Sequence, residues 1–233
     1  MKRRVAVIDS GVHAAHPHVN GVAGGIAIYP DGREDSDFTD RLGHGTAVAA
    51  AIREKAPEAE IFAVKIFHQS LTTQIESLVR AIEWSARNKM DWINLSLGTS
   101  NQGHEAVLRE AVASAVQKGC CIVAAAEQEG TRWLPGSLDG VIAVELDWDC
   151  PRDQYRTRQE EAGRLIYRAS GFPRPIPGVP PERNLKGLSF AVANVTGLLA
   201  GTNPPGAPQQ AEPLDASLMS ETEPRRLRLR QGP

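Results

Sequence analysis

The feature that most constrains this chain is an alternation that runs from residue 61 to residue 146. Short apolar runs take turns with longer stretches whose apolar positions recur at helical spacing. Ile61-Phe62-Ala63-Val64-Lys65-Ile66 reads as a strand. Thr73 and Glu76 form a capping box. Behind it Ile75, Leu78, Val79, Ile82 and Ala86 share one helical face. Asp91 to Leu97 is the next strand. Val107, Leu108, Ala111, Val112 and Ala115 mark another helix, stopped at Gly119. Cys121 to Ala126 and Val141 to Leu146 are further strands. Strands and helices in this order predict an α/β fold of three layers, a mostly parallel sheet with helices on both faces. In such sheets, sites form beyond the carboxyl ends of strands. Asp9 and Gln128 are predicted to stand at such ends.

The length of 233 residues suits one domain with a sizeable core. Net charge is −2, which makes no electrostatic case for nucleic acid or a membrane surface as partner. No apolar run approaches the length of a membrane span. Met1-Lys2-Arg3-Arg4 ahead of Val5-Ala6-Val7-Ile8 has the charge of a signal-peptide start. Its apolar part is too short and runs straight into Asp9, so it reads as the first strand.

Three stretches carry chemistry. Val5 to Ile8 followed by Asp9-Ser10-Gly11 reads as a buried strand that delivers a carboxylate at its end. In Gly43-His44-Gly45-Thr46 a histidine between glycines opens a helix of small residues. In Gly187-Leu188-Ser189-Phe190-Ala191 a turn leads into the buried run Val192 to Ala200. That places a serine at a helix N-terminus, where free N–H groups and the helix dipole favour negative charge. Alone, a serine there is an ordinary helix cap. With an upstream carboxylate and histidine it has the partners that an alcohol needs to become a nucleophile. His13, His16, His18, His68 and His104 lack the glycine-flanked helix start and read as surface or structural groups. A zinc site built from His13, His16 and His18 is conceivable, but they sit on a loop beside Pro17, which disfavours it.

These motifs resemble those of the subtilisin-like serine peptidases. The Asp9-Ser10-Gly11 segment with His16-Pro17 after it, the Gly43-His44-Gly45-Thr46 helix start and the Gly187-x-Ser189-x-Ala191 helix start all match. Ile93-Asn94-Leu95-Ser96-Leu97-Gly98 is similar to the family's substrate-binding strand, and Val123 to Ala126 to the strand before its oxyanion-hole residue. The resemblance covers residues 1–201. It implies a three-layer subtilisin-like fold and a serine endopeptidase whose triad is Asp9, His44 and Ser189. It further implies an oxyanion hole from Gln128 and the Ser189 backbone N–H. Peptide would lie along Ser96, Leu97, Gly98, Ala126 and Glu127. Three positions depart from the pattern. Gln128 stands for an asparagine, Glu127 for a glycine, and Leu188 for a threonine that could donate to the oxyanion. A slow or selective enzyme is therefore expected. A carboxylate at Glu127, beside the pocket for the residue before the cut, implies a preference there for a basic or small side chain.

Secreted relatives carry a signal and a long pro-segment, and the expectation here is a compact form without them. Cys120, Cys121 and Cys150 are odd in number, and the adjacent pair on a strand would point to opposite faces. Buried thiols of this kind point to the cytoplasm. The function implied is an intracellular processing endopeptidase acting on a peptide or protein. One example is removal of a leader from a ribosomally made, modified peptide, such as the small subunit of quinohemoprotein amine dehydrogenase. Two other readings stay open. One is a transpeptidase or macrocyclase, in which an amine resolves the acyl-enzyme; the large lid insertions of a water-excluding cyclase are not visible. The other is a pseudoprotease that binds peptide without cutting it. No cofactor is required. Many relatives bind calcium, but Asp31, Glu34, Asp35, Asp37 and Asp40 do not match a calcium-loop spacing and read as a solvated loop. Pro173, Pro175, Pro177, Pro180 and Pro181 predict an extended loop before Ser189. Residues 202–233 form a second region, rich in proline and ending in Arg225, Arg226, Arg228 and Arg230. It is expected to be disordered, or to serve as a basic arm that docks on an acidic partner protein.

Overall fold

A computed structural model of the chain describes residues 2–161 and 163–202. Among them the chain runs β1 (Arg4–Asp9), β2 (Gly24–Ile28), β3 (Glu34–Asp35), α1 (His44–Lys55), β4 (Glu60–Lys65), α2 (Ile75–Arg87) and β5 (Trp92–Leu95). It continues through α3 (Glu105–Gln117), β6 (Cys121–Ala125), β7 (Glu127–Gln128), β8 (Thr131–Arg132), β9 (Val141–Leu146), β10 (Arg156–Gln159), β11 (Leu165–Ala169) and α4 (Leu188–Thr202).

Nine strands form one sheet in the order β10-β11-β9-β6-β5-β1-β4-β2-β3. From β11 to β2 every pairing is parallel, and only the short edge strands β10 and β3 run antiparallel. The first strand of the chain thus lies at the centre, between β4 and β5. Its side chains alternate between two cores, as a pleated strand requires. Val5 and Val7 pack in the layer of α1 and α4, whereas Ala6 and Ile8 pack in the layer of α2 and α3. A strand covered on both faces is an unbroken apolar run, which is what Val5 to Ile8 is. α4 is buried nearly all round, which explains its run of small and apolar residues.

The expected three layers are present, with local differences. The capping box at Thr73 does not form. Gln74 is extended and caps α2, so Thr73 lies one residue too early to reach the first-turn N–H groups, and its hydroxyl is buried without a partner. Val107 on α3 is exposed. The acidic stretch is not all loop, since it contains β3 paired with β2. Its carboxylates serve local turns: Asp31 accepts from the Arg33 N–H, Asp35 from Asp37, and Asp37 from Thr39. Cys120 packs in the α2–α3 core and Cys121 against the α1–α4 core, on opposite faces as expected. Burial pushes the Cys120 thiol up to about 11, so it is an inert packing group. α4 includes Thr202; the rest of the expected tail and its docking role, residues 203–233, lie outside the described residues.

Candidate active site

Asp9 ends β1 at the carboxyl edge of the sheet and is fully buried. Its carboxylate accepts the Ser10 N–H at 2.7 Å and faces His44 Nδ1 at 2.8 and 3.0 Å. His44 is the first residue of α1, so this contact needs the helix start to press against the end of β1. Gly45 permits it: a Cβ there would lie 2.2 Å from the Gly11 carbonyl oxygen. Gly11 takes a φ of +94°, open to glycine at little cost.

Asp40 holds the same junction. Its Oδ1 accepts from Ser10 Oγ, Leu42 N and Gly43 N, each at 2.9 Å. Its Oδ2 accepts from Thr46 N at 2.8 Å and Thr46 Oγ1 at 2.6 Å. Ser10 Oγ in turn accepts the Gly45 N–H at 2.9 Å. Asp40 is therefore the anionic cap of α1, and it ties the helix start to β1. Burial favours the protonated acid, but these bonds outweigh it and hold the Asp40 carboxyl below its usual range. At His44 burial opposes the charge. The hydrogen bond and charge of Asp9, with the charge of Asp40, prevail and raise its pKa above the usual 6.5.

Ser189 is the second residue of α4, where helix N–H groups have no partner within the helix. Its Oγ donates to the Ser96 carbonyl at 3.0 Å, and Ser96 Oγ donates to the Ser189 carbonyl at 2.9 Å. Behind this pair, Asn94 Nδ2 donates to Ser96 Oγ, and Thr196 Oγ1 donates to Asn94 Oδ1, both at 2.9 Å. Asn94 and Thr196 are fully buried. They fasten two turns of α4 to the end of β5. Sequence reasoning passed over both, although a polar residue inside a buried apolar run is itself a signal of a needed hydrogen bond.

His44 and Ser189 open onto one cleft of about 470 Å³, with Ser96, Leu97, Gly98 and Gln128 on its walls. Seven of the expected site residues are thus brought together around Asp9 and His44. Ala126 and Glu127 lie outside that lining. Ala126 is buried, its N–H bonded to the Val144 carbonyl at 3.0 Å and its carbonyl to the Trp133 N–H at 2.8 Å. Glu127 is exposed in the β7–β8 hairpin, opposite Arg132. Residues not expected at the site also line the cleft, among them Trp133 and His104. Trp133 is carried there by a mutual backbone pairing of Leu134 with Thr99 at 2.9 Å, which joins the two walls. Among the described residues no group of three or more His, Cys, Asp or Glu side chains is placed to hold a metal ion, including His13, His16 and His18.

A buried carboxylate that raises the basicity of an imidazole, beside a hydroxyl at a helix start, is an arrangement able to activate an alcohol. The sequence profile of the subtilase family matches residues 2–146. The minor extracellular protease Epr of Bacillus subtilis (strain 168) is 37% identical over 154 residues, which is 60% of this chain and 23% of that protein. The chain thus spans about a quarter of that relative's length. Subtilisin Savinase of Lederbergia lenta is 35% identical over 206 residues, 84% of this chain and 71% of the relative. The solved structure of the prenylagaramide maturation protease PagA superposes with a TM-score of 0.61 at 26% identity, covering 84% of this chain and 73% of that one. On motif order, fold and these matches, the chain belongs to the subtilase family.

Proposed function

We propose that this protein is a serine endopeptidase of selective, processing type. The observation that carries the reading is the Asp9–His44 contact at 2.8 Å, which opens on the cleft that holds Ser189. Ser189 Oγ turns from the Ser96 carbonyl toward His44 as substrate arrives. His44 takes its proton while the oxygen attacks a peptide carbonyl, then returns that proton to the leaving amine. Asp9 keeps the imidazole oriented and stabilises its charged form. The Ser189 N–H and the Gln128 amide face the developing oxyanion. Water then releases the acyl group.

Three features support selectivity: Gln128, Leu188 and the fixed Trp133 in the cleft. The likeness to a solved peptide-maturation protease supports a role in trimming a ribosomally made peptide. Leader removal, as for the quinohemoprotein amine dehydrogenase small subunit, is the form proposed. Buried Cys120 and Cys150 support a reducing compartment, the cytoplasm. A second reading, a peptide-binding module without cleavage, rests on the Ser189 hydroxyl bonding to Ser96 at rest. Intact-mass analysis after a fluorophosphonate probe separates the two. One adduct on the native chain and none on Ser189→Ala is the expected result. No adduct on folded native protein overturns the peptidase reading.

A further inference from the structure

A second cavity, of about 280 Å³, shares no lining residue with the cleft that holds His44 and Ser189. Its walls come from three places: His13, His16 and His18 in the loop after β1, Gly43 and Thr46 at the start of α1, and Arg174 and Leu185 in the loop before α4. Gly43 directly precedes His44, and Leu185 stands shortly before Ser189. Ser96, Gly98 and Gln128 line the first cleft and not this one. A peptide whose acyl part lies along Ser96 to Gly98 must pass its leaving amine to His44, because His44 protonates it. On that polarity the residues after the cut run past His44, whose neighbour Gly43 lines the second cavity.

The chemistry of the cavity is specific. Arg174 Nη1 donates to the His18 carbonyl at 2.9 Å, which anchors the guanidinium. Its other N–H groups have no partner among the described residues. Asp40 is in the lining, but both its oxygens are already engaged by donors from Ser10, Leu42, Gly43 and Thr46. It leaves the guanidinium unpaired. His16 Nδ1 accepts the His18 N–H at 3.2 Å, so a neutral His16 carries its proton on Nε2 and is a donor. The histidines are not placed to share a metal ion. A guanidinium fork with imidazole N–H donors, above Ala47 and Ala50, matches a carboxylate.

We propose that this cavity is a carboxylate-binding subsite for the leaving side of the substrate, with Arg174 as its specificity-determining residue. The carboxylate comes from an Asp or Glu within the first few residues after the cut, or from the end of a short leaving peptide. The inference rests on the peptidase reading for the direction in which the peptide runs.

The test uses internally quenched decapeptides with Glu, Gln, Lys or Ala fixed in turn at each of the first positions after the cut, as free acids and as C-terminal amides. At one position Glu is expected to exceed Gln by about tenfold or more in kcat/KM, the size of a charge-assisted hydrogen bond. In Arg174→Gln that ratio is expected to fall to about twofold or less; a ratio taken within one protein cancels any loss of folded enzyme. Should Arg174→Gln not fold, His16→Gln is compared in the same way. A preference that follows the free acid and vanishes in the amide assigns the carboxylate to the peptide end. Equal cleavage of Glu and Gln peptides at every position, or an unchanged ratio in the variants, overturns the proposal. Binding of the same peptides to Ser189→Ala, read by fluorescence anisotropy, needs no chemistry. If nothing is cut but Glu peptides still bind more tightly, the peptidase reading falls and with it the leaving-side assignment, while the carboxylate site at Arg174 stands; equal binding removes the site.

Discussion

At the residue scale, His44 stands between opposed forces. Its burial disfavours the imidazolium, and the Asp9 carboxylate at 2.8 Å favours it more strongly. On the proposed mechanism the base form of His44 therefore appears only as pH rises through a pKa above 6.5. The acid limb of the kcat/KM profile is expected to have its midpoint above pH 6.5. Asp9→Asn is expected to move the His44 titration downward in an NMR experiment and to lower kcat by about 10⁴-fold. An acid limb at or below pH 6.5 in the native enzyme would contradict the pairing. The same shift has a thermodynamic sign. The contact stabilises the fold fully below pH 6.5, and that stabilisation is lost as pH rises through the raised pKa. Gln128, on the cleft wall, is the other side chain on which the proposed mechanism depends. Its replacement by Ala is expected to lower kcat about 100- to 1,000-fold with little change in KM, the usual cost of one oxyanion donor. A variant with native kcat would show that the Ser189 N–H suffices.

At the element scale, α1 depends on a cap that the sequence hides. Asp40 lies four residues before His44, inside a run of acids that read as a solvated loop. Asp31, Asp35 and Asp37 do behave so, their carboxylates turning back on the local backbone. Only Asp40 reaches both Ser10 and Thr46, and that follows from tertiary approach, which composition does not encode. Asp40→Ala is expected to cost about 2 kcal/mol, roughly 4–8 °C in melting temperature for a chain of this size. Differential scanning calorimetry measures it. Thr73 shows the converse. Its spacing to Glu76 suggests a cap, yet its hydroxyl has no partner, so Thr73→Ala is expected to stay within about 0.5 kcal/mol of native stability. The buried strands β1, β4, β5, β6 and β9 were legible because each is a nearly unbroken apolar run. β10, with its alternating arginines at the sheet edge, was not, since an exposed edge strand has no apolar signature. The three motifs that carry Asp9, His44 and Ser189 were legible because each sits at an element end with glycine close by. Trp133 was not, because it reaches the cleft through the β7–β8 hairpin and the Thr99–Leu134 pairing, both set by contacts distant in sequence.

At the scale of the whole molecule, all eleven strands and four α-helices of the described residues end by Thr202. The sheet also places its first strand in its middle, between two partners made later. On the ribosome this order becomes a schedule. Asp9 is made about 180 residues ahead of Ser189, so at about 5–20 residues per second the two are separated by roughly 9–36 seconds. Once His44 has followed, 35 residues after Asp9, the carboxylate and the imidazole can meet while Ser189 does not yet exist. On the proposed mechanism the growing chain therefore has no means of cutting itself or its neighbours until the last helix closes over the sheet.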